Sequence, residues 1–404
     1  MASVCLYMHI HQPYRVKRMG LFDVGNESEY FNHDGEGDLN NAFIIRKVTE
    51  KSYLPTMDLL LVLLERHPEF RVSFSVSGVA LEQFQEYAPE VIDRLKALAA
   101  TGQVEFLAET YYHSLAFFYS KSEFEYQVKK HGDLLHDLFQ VRPKVFRNTE
   151  LAYVNELGKW AEEAGYEGII AEGWEPVLHG KSANYVYRPK DTHRIALLLK
   201  NYKLSDDIAF RFSSRDWAEF PLTADKYAQW VHALHGAADT VNLFMDFETF
   251  GEHQWEDTGI FTFLEDVVPT LLLHPDTSFK TASETIHSYP IRDEVDMPQI
   301  VTWADTERDL TAWTGNEMQR TALWHIYALE ERMKTASAAL VEAWRRLQTS
   351  DHFYYMCTKW FSDGDVHAYF SPYHTPHEAH VAYMNALQDL RLRLQLEEVA
   401  VPLN

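Results

Sequence analysis

The chain has 404 residues, a length for one large domain with appendages or for two domains, with ample room for a core. Its 37 Lys and Arg stand against 60 Asp and Glu, a formal charge of −23 that disfavours any surface built to neutralise phosphates, so DNA, RNA and anionic lipid are not expected partners. Two cysteines, Cys5 and Cys357, are too few for a disulfide framework or a thiolate metal site, and neither a secretory leader nor an apolar run near the roughly 20 residues of a bilayer span is present, so a cytoplasmic location is expected.

Along the chain, strands are predicted near Val4–Ile10, Val72–Val76, Val104–Ala108, Lys144–Thr149, Gly168–Ala171, Ile195–Leu199, Val241–Met245 and, more weakly, Phe279–Ala282. Amphipathic helical patterns fall between them at Ala88–Ala100, Glu123–Phe139, Asn155–Ala164, Ala224–Leu234 and Phe261–Leu273. That alternation predicts an α/β fold with a parallel sheet closed into a barrel over residues 1–290, interrupted by a long loop at about 18–52. Within the loop, the stretch His33–Asp38 has the acidic content of a calcium loop but lacks the required glycine. Residues 291–404 change character. Asn316 to Leu347 reads as one long helix and His377 to Glu398 as another, with Trp360–Tyr373 a loop between them, predicting a helical C-terminal domain that completes the active-site cleft.

A β/α barrel carries its chemistry at the C-terminal ends of its strands. Those ends are polar: His9 and His11 on the first, Glu109 on the third, Asn148 and Glu150 on the fourth, Glu172 on the fifth, and Asp246 and Glu248 on the seventh. Strand alternation puts His9 with His11, Glu105 with Glu109, and Asp246 with Glu248 on common faces. Glu150 and Asp246 come from opposite sides of a seven-stranded ring. Two facing carboxylates are the equipment of glycoside hydrolysis, one attacking the anomeric carbon and the other donating a proton, with the donor's pKa expected to be raised. Aromatic residues at 14% of the chain suit the packing of sugar rings on flat faces.

Five ordered blocks carry a resemblance: His11-Gln12-Pro13; Gly102 to Leu107; Phe146-Arg147-Asn148-Thr149-Glu150-Leu151; Met245 to Trp255; and Thr302-Trp303-Ala304-Asp305 leading into Glu307-Arg308-Asp309. The chain resembles the α-amylases of glycoside hydrolase family 57. The resemblance implies a (β/α)7 barrel with a helical C-terminal domain, a retaining mechanism on α-1,4-glucans, and no required metal or other cofactor. It places the nucleophile at Glu150 and the general acid/base at Asp246, with His11, Glu105, Trp255 and Trp303 lining the subsites; His113, Glu248 and Asp305 join them as substrate-binding candidates.

Within the same family, 4-α-glucanotransferase or branching activity is the alternative, since a glycosyl-enzyme can be intercepted by water or by a sugar hydroxyl. A metal-dependent amidohydrolase or deacetylase is a more remote one, because His9-x-His11 is a metal-ligand spacing. A glucan-binding protein without catalysis would need no carboxylate pair. The sequence leaves the oligomeric state open.

Overall fold

The computed structural model describes residues 2–31, 37–359 and 366–400. Among these residues seven parallel strands form the barrel: β1 (Ala2–Ile10), β2 (Val72–Val76), β3 (Val104–Phe106), β4 (Val145–Arg147), β5 (Gly168–Glu172), β6 (Ala196–Lys200) and β7 (Thr240–Asp246). All residues of β1, β2, β5 and β6 are buried, as expected of parallel strands covered on both faces. The period of two divides each strand between two environments. On β1, Val4, Leu6, Met8 and Ile10 pack outward against the helices, whereas Cys5 and Tyr7 join Leu107, Val145, Ile170, Leu198 and Phe244 in the barrel interior.

The ring is distorted. One ladder runs β3-β2-β1-β7 and another β4-β5-β6. Two seams join them: Ala108, just past β3, donates its N–H to the Val145 carbonyl (3.0 Å) and accepts the Arg147 N–H (2.8 Å), and Asn201 N–H donates to the Asn242 carbonyl (2.8 Å) beside β6 and β7. The weak expectation at Phe279–Ala282 corresponds to a short strand, Thr277–Phe279, that pairs with the start of β1 and is not a barrel stave.

The loop expected at about 18–52 ends earlier. Asn40 caps a helix at Asn41–Val48 by accepting the Phe43 N–H, and a single π-helical turn, Thr49–Tyr53, passes it into the helix Leu54–Arg66. Four residues of the calcium-like stretch, 33–36, lie outside the described residues. The single long helix expected from Asn316 is three pieces, Glu317–Tyr327, Glu330–Met333 and Ala338–Arg346; the second break falls at Ser337, whose backbone is extended at the N-cap of the third piece. Of the loop expected at Trp360–Tyr373, residues 360–365 lie outside the described residues and Val366–Phe370 is a short helix. The last helix, Pro376–Ala400, matches its expected position closely. Among the described residues no helix is long and apolar enough to cross a membrane.

Candidate active site

Glu150 sits in the turn that follows β4. Its backbone is left-handed (φ 58°), as are those of the next residue, Leu151 (φ 49°), and of His113 (φ 50°). Non-glycine residues in this region each cost about 1–3 kcal/mol and persist where surrounding contacts over-determine them. The contacts here are explicit. Glu150 Oε1 accepts from Ser350 Oγ (3.1 Å) and meets His113 Nε2 (3.1 Å), while Oε2 accepts the Trp303 indole N–H (2.9 Å). Burial raises a carboxyl, but the hydrogen bond and charge of His113 outweigh it and hold Glu150 below the ordinary range. Burial likewise lowers His113, yet its bonds to Glu109 and Glu150 carry it to about 9, so it is an imidazolium at neutral pH.

A buried frame connects this carboxylate to Asp246. His113 Nδ1 lies 3.4 Å from Glu109 Oε2, the same oxygen lies 3.3 Å from His9 Nε2, and His9 Nδ1 is 3.6 Å from Asp246 Oδ1. Arg147, fully buried, stands 3.6 Å from Glu109 and 3.4 Å from a nitrogen of each imidazole. Desolvation pushes Glu109 up, but His9, His113 and Arg147 together bring it well below the usual range. Asp246 is the open member, its side chain 37% exposed. Its pKa is lowered: desolvation raises it, and the hydrogen bond and charge of His9 more than reverse this. The raised pKa expected of the proton donor falls instead on neighbouring Glu248, pushed up to about 8 by burial and then by the Asp246 charge. Glu248 Oε1 accepts from Tyr53 Oη (2.5 Å) and from the His11 N–H (3.3 Å).

His11 stacks on His113 with ring centres 3.9 Å apart. Burial and the charge on His113 lower its pKa to about 4, so it is neutral. A neutral His11 donates from Nε2 to Asp351 (3.0 Å) and accepts from Ser77 Oγ at Nδ1 (2.6 Å).

Glu150, Asp246, His11, His113, Glu248 and Trp303 are thus brought together, and three other expected site residues are not. Glu105 lies low in the barrel, paired in register with Ser73 at the start of β2, and its carboxylate accepts the Ser283 N–H (2.8 Å) of the helix Ala282–Ser288. Four residues on, Glu109 is the carboxylate that reaches the top. Asp305, 5% exposed, is engaged by His367 (3.0 Å) and Lys359 (3.3 Å) instead of facing a cleft. Trp255 is 58% exposed with Lys51 Nζ 5.3 Å from its ring, outside the hydrogen-bonded cluster. Sequence reasoning missed Ser350 and Asp351, and gave Arg147 no role although it stands in a quoted block. The only signal for the pair is the polar run Gln348 to His352 after an amphipathic helix.

Among the described residues two triplets bring possible metal ligands within 4.8 Å of one another, His9–Glu109–His113 and His11–His113–Asp351. Their chemistry fits a cation poorly. Arg147 already supplies a buried positive charge at Glu109, and both His113 nitrogens are engaged by carboxylates.

The chain matches the family model described as glycosyl hydrolase family 57 over residues 5–298. A protein of Methanocaldococcus jannaschii named "Putative alpha-amylase" is 39% identical over 392 residues, covering 94% of this chain and 82% of its own length. Among solved structures, a branching enzyme of this family from Pyrococcus horikoshii superposes with a TM-score of 0.69 at 14% identity, covering 91% of this chain and 87% of that one. An α-amylase from Thermotoga maritima gives 0.62 at 14% identity, covering 100% and 94%. At those identities the two structures speak for the fold, a distorted barrel with a helical C-terminal region. The family match across most of the barrel and the near-full-length relative go further: the chain belongs to glycosyl hydrolase family 57.

Proposed function

We propose that the protein hydrolyses α-1,4-linked glucans with retention of configuration, as an α-amylase-type enzyme, using Glu150 as nucleophile and Asp246 as general acid/base. The observation that carries this reading is the unequal treatment of the two carboxylates. Glu150 is gripped by three partners and kept ionised, as a nucleophile requires, whereas Asp246 is anchored through His9 and otherwise open to the cleft. A glucan closing over the exposed face of Asp246 removes its water and raises its pKa, which favours the protonated form that donates to the leaving oxygen. Glu150 attacks the anomeric carbon and forms a glycosyl ester; the Asp246 carboxylate then takes a proton from water, which displaces Glu150. The name carried by the Methanocaldococcus jannaschii relative supports the substrate class.

Incubation with maltooligosaccharides of defined length, followed by proton NMR and product sizing, tests the reading. Shorter products that first appear as the α-anomer are expected. The β-anomer would exclude double displacement. Products longer than the substrate would replace hydrolysis by transfer or branching, a reading that the exposed Trp255 ring favours as an acceptor platform.

Because Arg147 occupies the place a metal would take electrostatically, activity is expected to persist after exhaustive dialysis against EDTA. A stoichiometric transition metal by elemental analysis, with activity that chelation abolishes, would return the deacetylase alternative.

A further inference from the structure

We infer that Arg308 is a positioning residue for the nucleophile, acting through Trp303. The inference rests on the reading of Glu150 given above. Trp303 holds Glu150 twice, by its indole N–H on Oε2 (2.9 Å) and by its main-chain N–H on the Glu150 carbonyl (3.3 Å). It lies at the start of a loop that folds back on itself. Thr302 N–H donates to the Arg308 carbonyl (2.9 Å), the Thr302 hydroxyl donates to the Asp309 carbonyl (2.8 Å), and both Asp305 (φ 55°) and Arg308 (φ 52°) are left-handed. A loop with two such residues needs an external tie to keep its shape.

Arg308 supplies that tie. Its guanidinium, 12% exposed, donates from Nη1 to the Trp303 carbonyl (2.7 Å) and to Glu172 Oε2 (2.9 Å), and from Nη2 to Asp206 Oδ2 (3.1 Å). Glu172 ends β5 and is fully buried; Lys200 ends β6, is 4% exposed, and donates to Asp206 Oδ1 (3.0 Å). Two anions and two cations therefore form a buried neutral cluster. Lys200 Nζ also stands 5.4 Å from the Trp303 ring centre, and the Arg147 guanidinium 5.3 Å. Each of these cations is held by barrel residues, so the indole is referenced to the barrel rather than to its own loop.

A buried ion cluster is weak grounds for stability, because desolvation offsets much of the attraction; fixing one geometry is the better-attested use. Here the fixed geometry ends on a reacting atom. The guanidinium's hydrogen bonds go to Glu172, Asp206 and the Trp303 carbonyl and not to Asp246, His9 or Glu248, so loss of the fork is expected to act on the chemical step more than on sugar binding.

The test is a double-mutant cycle on the full chain: wild type, Arg308→Lys, Trp303→Phe and the pair, assayed on a 4-nitrophenyl maltooligoside. Lysine keeps the charge of the cluster but cannot serve three acceptors from a planar fork. Arg308→Lys is expected to lower kcat about tenfold, a loss of the size one misaligned charged hydrogen bond produces, with KM changed less than about twofold. The double variant is expected to lose less than the two single losses combined, since Trp303→Phe removes the indole bond to Oε2 and keeps only the main-chain one. Additive losses, or a fall in melting temperature with kcat retained, would overturn the inference and leave Arg308 a structural residue. Should Arg308→Lys fail to fold, Asp206→Asn, which frees one arm of the fork, enters the same cycle with the same expected non-additivity. Glu150→Gln separates the two readings. If it stays active, the nucleophile assignment fails; if it is inactive while the cycle is additive, only the role of Arg308 fails.

Discussion

Replacing Glu150 by Gln is expected to lower kcat on maltooligosaccharides by about 10⁴–10⁶-fold, the range seen when an enzymatic nucleophile is deleted. The amide keeps the shape of the carboxylate: with its oxygen toward the Trp303 indole, its NH2 faces the Ser350 hydroxyl, which can rotate to accept. What disappears is the negative charge, and with it both the attacking group and one of the two carboxylates that hold His113 protonated. Circular dichroism should therefore report a folded protein while turnover vanishes. The companion variant Glu150→Ala opens space for azide. In the presence of azide and an activated glucoside it should form the β-glycosyl azide, of inverted configuration, because the small anion attacks from the side the carboxylate vacated. Formation of the α-azide, or activity of Glu150→Gln within about tenfold of wild type, would assign the nucleophile elsewhere.

The second large effect belongs to Asp246. Asp246→Asn is expected to lower kcat on natural glucans by about 10²–10⁴-fold, the span of general acid–base catalysis. With a 4-nitrophenyl leaving group, which departs without a proton, the first step should be nearly spared and the second should become limiting, so a burst of nitrophenol precedes a slow steady state. Azide added to Asp246→Ala should give the α-glycosyl azide, the opposite anomer to that from the Glu150 variant. Equal losses on natural and activated substrates would remove Asp246 from proton transfer. The substitution also reaches Glu248: with the Asp246 charge gone, burial alone is left to raise it, and its titration should move down from about 8.

The strands and the inward placement of Asp246 were legible because both follow from a short-range rule, whereas Glu150 lies past the end of β4 in a left-handed turn that alternation does not place. Alternation along β1 and β7 commits Tyr7, His9 and Phe244, Asp246 to one side of their strands, and closure of the ring turns that side inward. The same rule could not place Glu105 in depth. Period two says that Glu105 and Glu109 share a face, and only the register with β2 shows that the first lies near the bottom of the barrel and the second at its top. Asp305 stands in a block typical of the family, yet whether its carboxylate faces sugar or protein depends on His367 and Lys359, far along the chain. Ser350 and Asp351 were invisible for a related reason: no local pattern distinguishes a helix N-terminus that meets solvent from one that meets a buried carboxylate and imidazole. The helix at Asn41–Val48 was missed because the loop reading of the Asp-, Asn- and Gly-rich stretch before it was carried too far, although Asn40 supplied a capping signal and Ile44, Ile45 and Val48 an apolar face.

The bonds that complete the site join distant parts of the chain. His11 and Asp351 are 340 positions apart, and Glu150 and Ser350 are 200. Closing loops of that size carries an entropy cost that local contacts do not, so such pairs are expected to form late in folding. Every barrel strand leaves the ribosome before Ser350 does. A nascent chain can have its strands paired and its core closed and still present Glu150 without the Ser350 hydroxyl. Catalytic competence in this architecture is therefore a property of the finished chain, and activity reports on completion of the whole fold in a way that secondary structure alone does not.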